Sequence, residues 1–68
     1  MINNNMNDEL GVYVYRRPQD GIEITIVHND FMTAMYGPKG RKFFSSLNRA
    51  LMCAQEHGFE DVSSFTFL

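Results

Sequence analysis

The clearest pattern in this chain is the alternation of apolar and polar residues between residues 22 and 26. Ile22, Ile24 and Ile26 are separated by Glu23 and Thr25. Successive side chains of a strand point to opposite faces, so this pattern predicts a β-strand with its isoleucine face on a core.

A second alternating segment precedes it, from Val12 to Arg17, where two valines alternate with Tyr13 and Tyr15. This pattern also predicts a strand, with the aromatic residues on one face. Pro18 would end the strand, and Gln19-Asp20-Gly21 is typical of a tight turn because Asp-Gly tolerates positive φ angles. The two segments therefore predict a β-hairpin.

Two further strands are predicted with weaker patterns. After a turn at His28-Asn29-Asp30, the segment Phe31 to Tyr36 has strand composition and leads into Gly37-Pro38-Lys39-Gly40, a second turn. Near the end of the chain, Val62 to Leu68 alternates phenylalanines with serine and threonine, which predicts a last strand.

Between these strands, the segment from Ser46 to His57 predicts one helix. Its apolar residues recur at i, i+3, i+4 and i+7 and form one stripe: Leu47, Ala50, Leu51 and Ala54. Ser46 can cap the first turn with its hydroxyl, and His57 suits the negative end of the helix dipole. Gly58 and Phe59 follow where a Schellman motif needs a left-handed residue and an apolar contact.

These elements predict an α+β domain with an antiparallel β-sheet and one helix packed on one face, in the order β-β-β-α-β. We expect residues 1–10 to form a flexible N-terminal tail and residues 11–68 to form a single domain. A chain of 68 residues has only a small core, which makes a homodimer a possible source of further stability.

Composition narrows the possible environments and partners. Cys53 is the only cysteine, which excludes an internal disulfide and favours the reducing cytoplasm. The chain has neither an apolar run long enough to cross a bilayer nor a recognisable signal peptide, so no membrane partner is expected. The net charge of −2 argues against strong nonspecific binding to nucleic acid.

The residues that usually carry catalysis are few and scattered. His28 and His57 lack cysteines or carboxylates at metal-ligand spacing, no Ser-His-Asp combination stands out, and nothing near Cys53 suggests an activated thiolate. We therefore expect no enzymatic activity, no cofactor and no metal site.

The sequence favours a protein partner. A single helix can cover only one face of the sheet, and we expect Tyr13 and Tyr15, with Tyr36 or Phe65 as further candidates, to lie on the uncovered face. With Arg16 and Arg17 beside them, these tyrosines are predicted to bind a partner protein, since Tyr and Arg dominate interface hot spots. A free sheet edge would offer a second way of docking, by strand addition.

The alternative is a nucleic-acid-binding protein. Glycines and cations are combined in Gly37-Pro38-Lys39-Gly40-Arg41-Lys42 just before the predicted helix. Lys39, Arg41, Lys42 and Arg49 are therefore candidate ligands for an anion or for nucleic acid, with the sheet aromatics stacking on bases. The nucleotide-loop spacing and the motifs of RNA-recognition sheets are both missing.

The helix and its exit carry a resemblance to a known class. The segment Ser46-Leu47-Asn48-Arg49-Ala50-Leu51, continued through Ala54 to Gly58-Phe59-Glu60-Asp61-Val62, resembles the RNA-polymerase inhibitor of lytic podophages. The chain is also similar to several anti-CRISPR proteins in size, single cysteine and order of elements. Asn48 and Arg49 occupy positions where the podophage pattern usually has acidic residues. The resemblance implies a class of phage or mobile-element inhibitor that occupies a surface of a host protein complex.

Overall fold

A computed structural model of the protein describes residues 9–63, which form an antiparallel five-stranded sheet with one helix packed against it. The elements in chain order are β1 (Gly11–Arg16), β2 (Glu23–His28), β3 (Thr33–Gly37), β4 (Gly40–Phe44), α1 (Leu47–Glu56) and β5 (Glu60–Asp61). The order across the sheet is β4-β3-β2-β1-β5. The predicted α+β class, with an antiparallel sheet and one helix on it, is confirmed. Strand β4 was not predicted.

The helix ends are built as the sequence predicts. The Ser46 hydroxyl accepts the Arg49 backbone N–H at 3.2 Å. At the other end Gly58 has φ of +85°, and the Phe59 N–H donates to the Ala54 carbonyl at 3.0 Å, the long hydrogen bond of a Schellman motif. The Nδ1 atom of His57, the C-cap residue, lies 2.8 Å from the Cys53 carbonyl oxygen, which confirms its expected capping role.

The core lies between the helix and one face of the sheet, called here the covered face. The predicted helix stripe and strand isoleucines all contribute, together with Phe59 from the helix exit and Tyr15 from β1. Ile26, Leu47 and Ala50 are fully buried. Burial of each large apolar side chain in this cluster contributes about 1.5–3 kcal/mol to the free energy of unfolding. The cluster is therefore the main source of stability.

The expected position of Tyr13 and Tyr15 on the uncovered face is wrong. The strand register places Tyr15 opposite Ile24 and Tyr13 opposite Ile26, so both tyrosines share the covered face with the isoleucines. Tyr15 is only 3% exposed, and Tyr13 is half-buried against the core. Val12 and the other alternating positions instead form the opposite face, called here the open face.

The helix crosses the covered face diagonally. It begins three residues beyond Phe44, which pairs with Thr33 at the end of β4 far from the β3–β4 turn. At its other end the His57 carbonyl accepts a hydrogen bond from Arg17, just past β1. A diagonal helix leaves a corner of the face beside it at the β3–β4 turn.

The remaining boundaries differ modestly from the predictions. The expected turn of residues 19–21 forms, with Gly21 at φ of +74°. His28 is the last residue of β2, and Phe31 lies in the turn before β3. Strand β5 comes earlier than predicted, and of the predicted strand over residues 62–68 only Val62 and Ser63 are described. Residues 64–68, including Phe65, and most of the predicted tail lie outside the described residues.

Candidate functional site

The open face carries two adjacent rows of side chains across the sheet. Strand pairing aligns Val12, Val27, Ala34 and Phe43 in one row and Val14, Thr25, Tyr36 and Arg41 in the next. Three large apolar side chains remain accessible in these rows, with Val12 at 56%, Tyr36 at 36% and Phe43 at 58% exposure. Ala34, between Val27 and Phe43 in the first row, is fully buried, so Val12, Tyr36 and Phe43 provide most of the accessible apolar surface of the open face.

Phe43 is exposed because of where β4 lies. In the described part of the chain β4 is an edge strand, and the helix packs on the other face. The Arg41 guanidinium lies over the Phe43 ring at 4.8 Å from its centroid, in an arrangement favoured by the negative ring face. Such a pair presents an aromatic edge and a cation on one surface.

The charges of the open face have both signs. Arg16 lies between Glu23 of β2 and Glu60 of β5 in the strand register, so carboxylates flank it on both sides. Arg41 is in the row of Tyr36, on the same face but near the opposite edge of the sheet. This distribution differs from the continuous basic surface with which proteins bind a nucleic-acid backbone.

Tyr13 and Tyr15 are oriented inward, away from any partner on the open face. The Tyr13 hydroxyl donates to the Glu9 carbonyl oxygen at 2.6 Å. Burial raises the pKa of Tyr15 above its ordinary value, and the Asp61 carboxylate adds to that shift. Both rings pack in or against the core, so the prediction that they present an exposed binding surface is not compatible with their positions.

Arg17 is engaged within the fold. Its guanidinium makes an ion pair with Asp20 at 2.8 Å, donates to the His57 carbonyl at 3.2 Å and lies 4.6 Å from the Phe59 ring centroid. The hydrogen bond from Arg17 lowers the pKa of Asp20. The arginine thus connects the β1–β2 turn to the exit of the helix, whereas its neighbour Arg16 remains exposed on the open face.

The four cations of the alternative prediction are not arranged as the sequence suggested. Lys39 lies in the β3–β4 turn, whereas Arg41 and Lys42 lie on β4 and point to opposite faces. From Gly40 to Phe44 the strand spans about 14 Å, which separates the turn from the helix N-terminus. Arg49 is exposed on the helix. The expected combination of a basic loop with a helix N-terminus is therefore wrong.

The lone thiol and the histidines have ordinary surroundings. Cys53 Sγ lies 3.9 Å from His57 Nδ1, but this nitrogen must carry a proton to donate to the Cys53 carbonyl, so it cannot also accept the thiol proton. His28 Nδ1 lies 2.6 Å from the Thr33 hydroxyl. Residues 9–63 contain no group of three potential metal ligands and no helix that could span a membrane.

Comparisons with protein-family models, with curated proteins and with solved structures found no match to this chain. Sequence reasoning missed Val12 and Phe43, although it named Tyr36 as a candidate. The adjacent pairs Arg41-Lys42 and Phe43-Phe44 were the available signal, since such pairs place one cation and one ring on each face of a strand.

Proposed function

We propose that the protein is a non-enzymatic protein-binding module that docks onto its partner through the open face. The observation that carries this proposal is the grouping of Val12, Tyr36 and Phe43, all exposed, in two adjacent rows of one face. Grouped exposed apolar side chains with a polar rim are characteristic of protein interaction sites.

The dimensions of the patch suit the centre of an interface. Val12 and Phe43 lie on strands separated by β2 and β3, so their row spans about 14 Å at the usual strand spacing. Aromatic residues and arginine are enriched at the centres of protein interfaces, and Phe43 with Arg41 supplies both. The partner surface we propose has an apolar pocket for Phe43 and a carboxylate that meets Arg41.

The resemblance to small phage-encoded inhibitors extends the proposal to a class of partner. On this proposal the module acts in the cytoplasm of a bacterial host and occupies a surface of a host protein complex. Nucleic acid is a less favourable partner because the described part of the open face carries two cations, Arg16 and Arg41, and carboxylates flank Arg16. The net charge of −2 points the same way.

The test uses two phenylalanines in different positions. The tagged protein is used to capture its partner from a bacterial lysate, and the purified partner is then titrated with Phe43→Ala and Phe31→Ala. Phe31 is the matched control because it is 94% exposed but lies in the β2–β3 turn. We expect Phe43→Ala to weaken binding by about 2 kcal/mol, roughly 30-fold, and Phe31→Ala to leave it unchanged.

Three outcomes would contradict the proposal. If Phe43→Ala binds as tightly as the parent, the open face is not the docking surface. If the parent alone sediments as a dimer and Phe43→Ala as a monomer, the occupant is a second copy of the chain. If the affinity instead falls steeply with salt concentration, and if removal of each cation flattens this log–log dependence by about one unit of slope, the partner is a nucleic acid.

A further inference from the structure

A cavity lies at a corner of the covered face, away from the open face. Its volume is about 320 Å³, and it is bounded by the ends of β2 and β3, the β3–β4 turn and Phe59. Ligand pockets in proteins begin at about this volume. The cavity is therefore large enough for a small molecule.

The diagonal course of the helix and two glycines create this cavity. Gly37 and Gly40 pair across β3 and β4, and neither carries a side chain that could fill the corner beside the helix. A Cβ atom at Gly37 would lie only 3.0 Å from Ile24 Cγ2, which is too close for an ordinary contact. The backbone thus approaches Ile24 directly and leaves space above it.

The lining of the cavity is amphipathic. Ile22, Ile24, Met35 and Phe59 supply hydrocarbon surface, while Lys39 and Lys42 supply cations. Arg17 and Arg41 also border it, and the described lining includes no acidic side chain. Asp20 offsets the charge of Arg17, and the Arg41 guanidinium lies on the open face over Phe43, so the net positive charge at the rim comes from Lys39 and Lys42.

We propose that this cavity binds a small carboxylic acid with a hydrocarbon body. The hydrocarbon would pack on Ile24 and Met35, where it would be removed from water, and the carboxylate would remain at the rim near Lys39 and Lys42. Neither part suffices alone, because a bare anion gains nothing from the isoleucine floor and a neutral hydrocarbon gains nothing from the lysines. This site is independent of docking through the open face.

The experiment is a titration of the isotope-labelled protein followed by NMR. The probe is hexanoate, and the matched ligands are 1-hexanol, hexylamine and acetate. We expect hexanoate to shift the signals of Ile24, Met35 and Phe59, with an affinity at least tenfold above that of any matched ligand. Equal affinity for 1-hexanol would overturn the role of the lysines, and equal affinity for acetate would overturn that of the apolar floor.

Charge variants give the second arm. The double variant Lys39→Gln, Lys42→Gln should bind hexanoate about tenfold more weakly and should keep the parent spectrum elsewhere, because both side chains are exposed. Arg49→Gln is the control, since this cation lies on the helix outside the cavity lining. If the control and the double variant lose the same hexanoate affinity for each charge removed, the protein attracts the anion only through its general charge, and the proposed site is contradicted.

Discussion

The two faces of this sheet carry similar kinds of residue but differ in burial. The covered face has Tyr15 and Ile24 packed under the helix, whereas the open face has Val12, Tyr36 and Phe43 exposed. Residues of the two faces alternate along the same strands. The difference shows that apolar character alone does not make a core, because a second layer must also cover the residues.

The first prediction tests this difference with one residue type on the two faces. Tyr15→Ala should destabilise the domain by about 3–5 kcal/mol, because it removes a buried aromatic ring and leaves a cavity. Tyr36→Ala should cost less than about 1 kcal/mol, since Tyr36 is partly in solvent on the open face. Chemical denaturation of the two variants measures both values. Similar losses from the two substitutions would mean that the faces do not differ as described.

The contrast between the tyrosines also shows what sequence reasoning could reach. The alternation of Val12 to Tyr15 correctly predicts a strand, but both sets of side chains are apolar, so period alone does not tell which set faces the helix. That choice depends on the register with β2, which pairs Tyr15 with Ile24. Register depends on the whole sheet and is not contained in a single segment.

The helix and β4 are opposite cases of predictability. The helix could be predicted with its caps because Ser46, Gly58 and Phe59 form local hydrogen bonds that depend on nearby residues alone. Strand β4 has no polar-apolar alternation, because cations and rings are paired along it. Each cation instead lies over the ring two residues later, Arg41 over Phe43 and Lys42 over Phe44, and these pairs form only once the strand exists.

The second prediction concerns a substitution that weakens the helix, which covers one face, without altering the sheet. Ser46→Ala removes the acceptor for the Arg49 N–H and should cost about 1 kcal/mol of stability. Hydrogen exchange should then rise in the helix and in its contacts on the covered face. Phe43 and its neighbours on the open face should keep their chemical shifts. If the NMR signals of both faces change equally, the loss of the cap does not act through the helix alone, and the prediction is contradicted.

A third prediction concerns the link between the β1–β2 turn and the helix exit. The pKa of Asp20 is lowered by Arg17, so its ion pair stabilises the fold above the ordinary Asp pKa, and this contribution is lost as pH falls through the lowered value. Asp20→Asn should therefore be less stable than the parent at pH 6, and the difference should shrink on acidification toward the lowered pKa. Asparagine can still accept the Ile22 N–H, which preserves the turn.

The control for this third prediction is Glu23→Gln on the open face. Glu23 takes part in no ion pair in the described structure, so this variant should show a smaller dependence on acid than Asp20→Asn. Denaturation of the parent and both variants between pH 6 and pH 2 gives the comparison. A constant difference between Asp20→Asn and the parent over that range would show that the charge of Asp20 does not contribute.

The smallest effect is predicted at Cys53, which lies on the helix near the edge of the covered face. Its thiol is close to the imidazole of His57, but the proton on Nδ1 is already donated to the Cys53 carbonyl. Nothing in this geometry activates the thiol, so the parent and His57→Gln should react with iodoacetamide at rates within about twofold at pH 8. Cys53→Ser should keep the partner affinity of the parent and change stability by less than about 1 kcal/mol. A tenfold slower alkylation of His57→Gln would reveal a thiolate stabilised by the imidazole and would contradict this prediction.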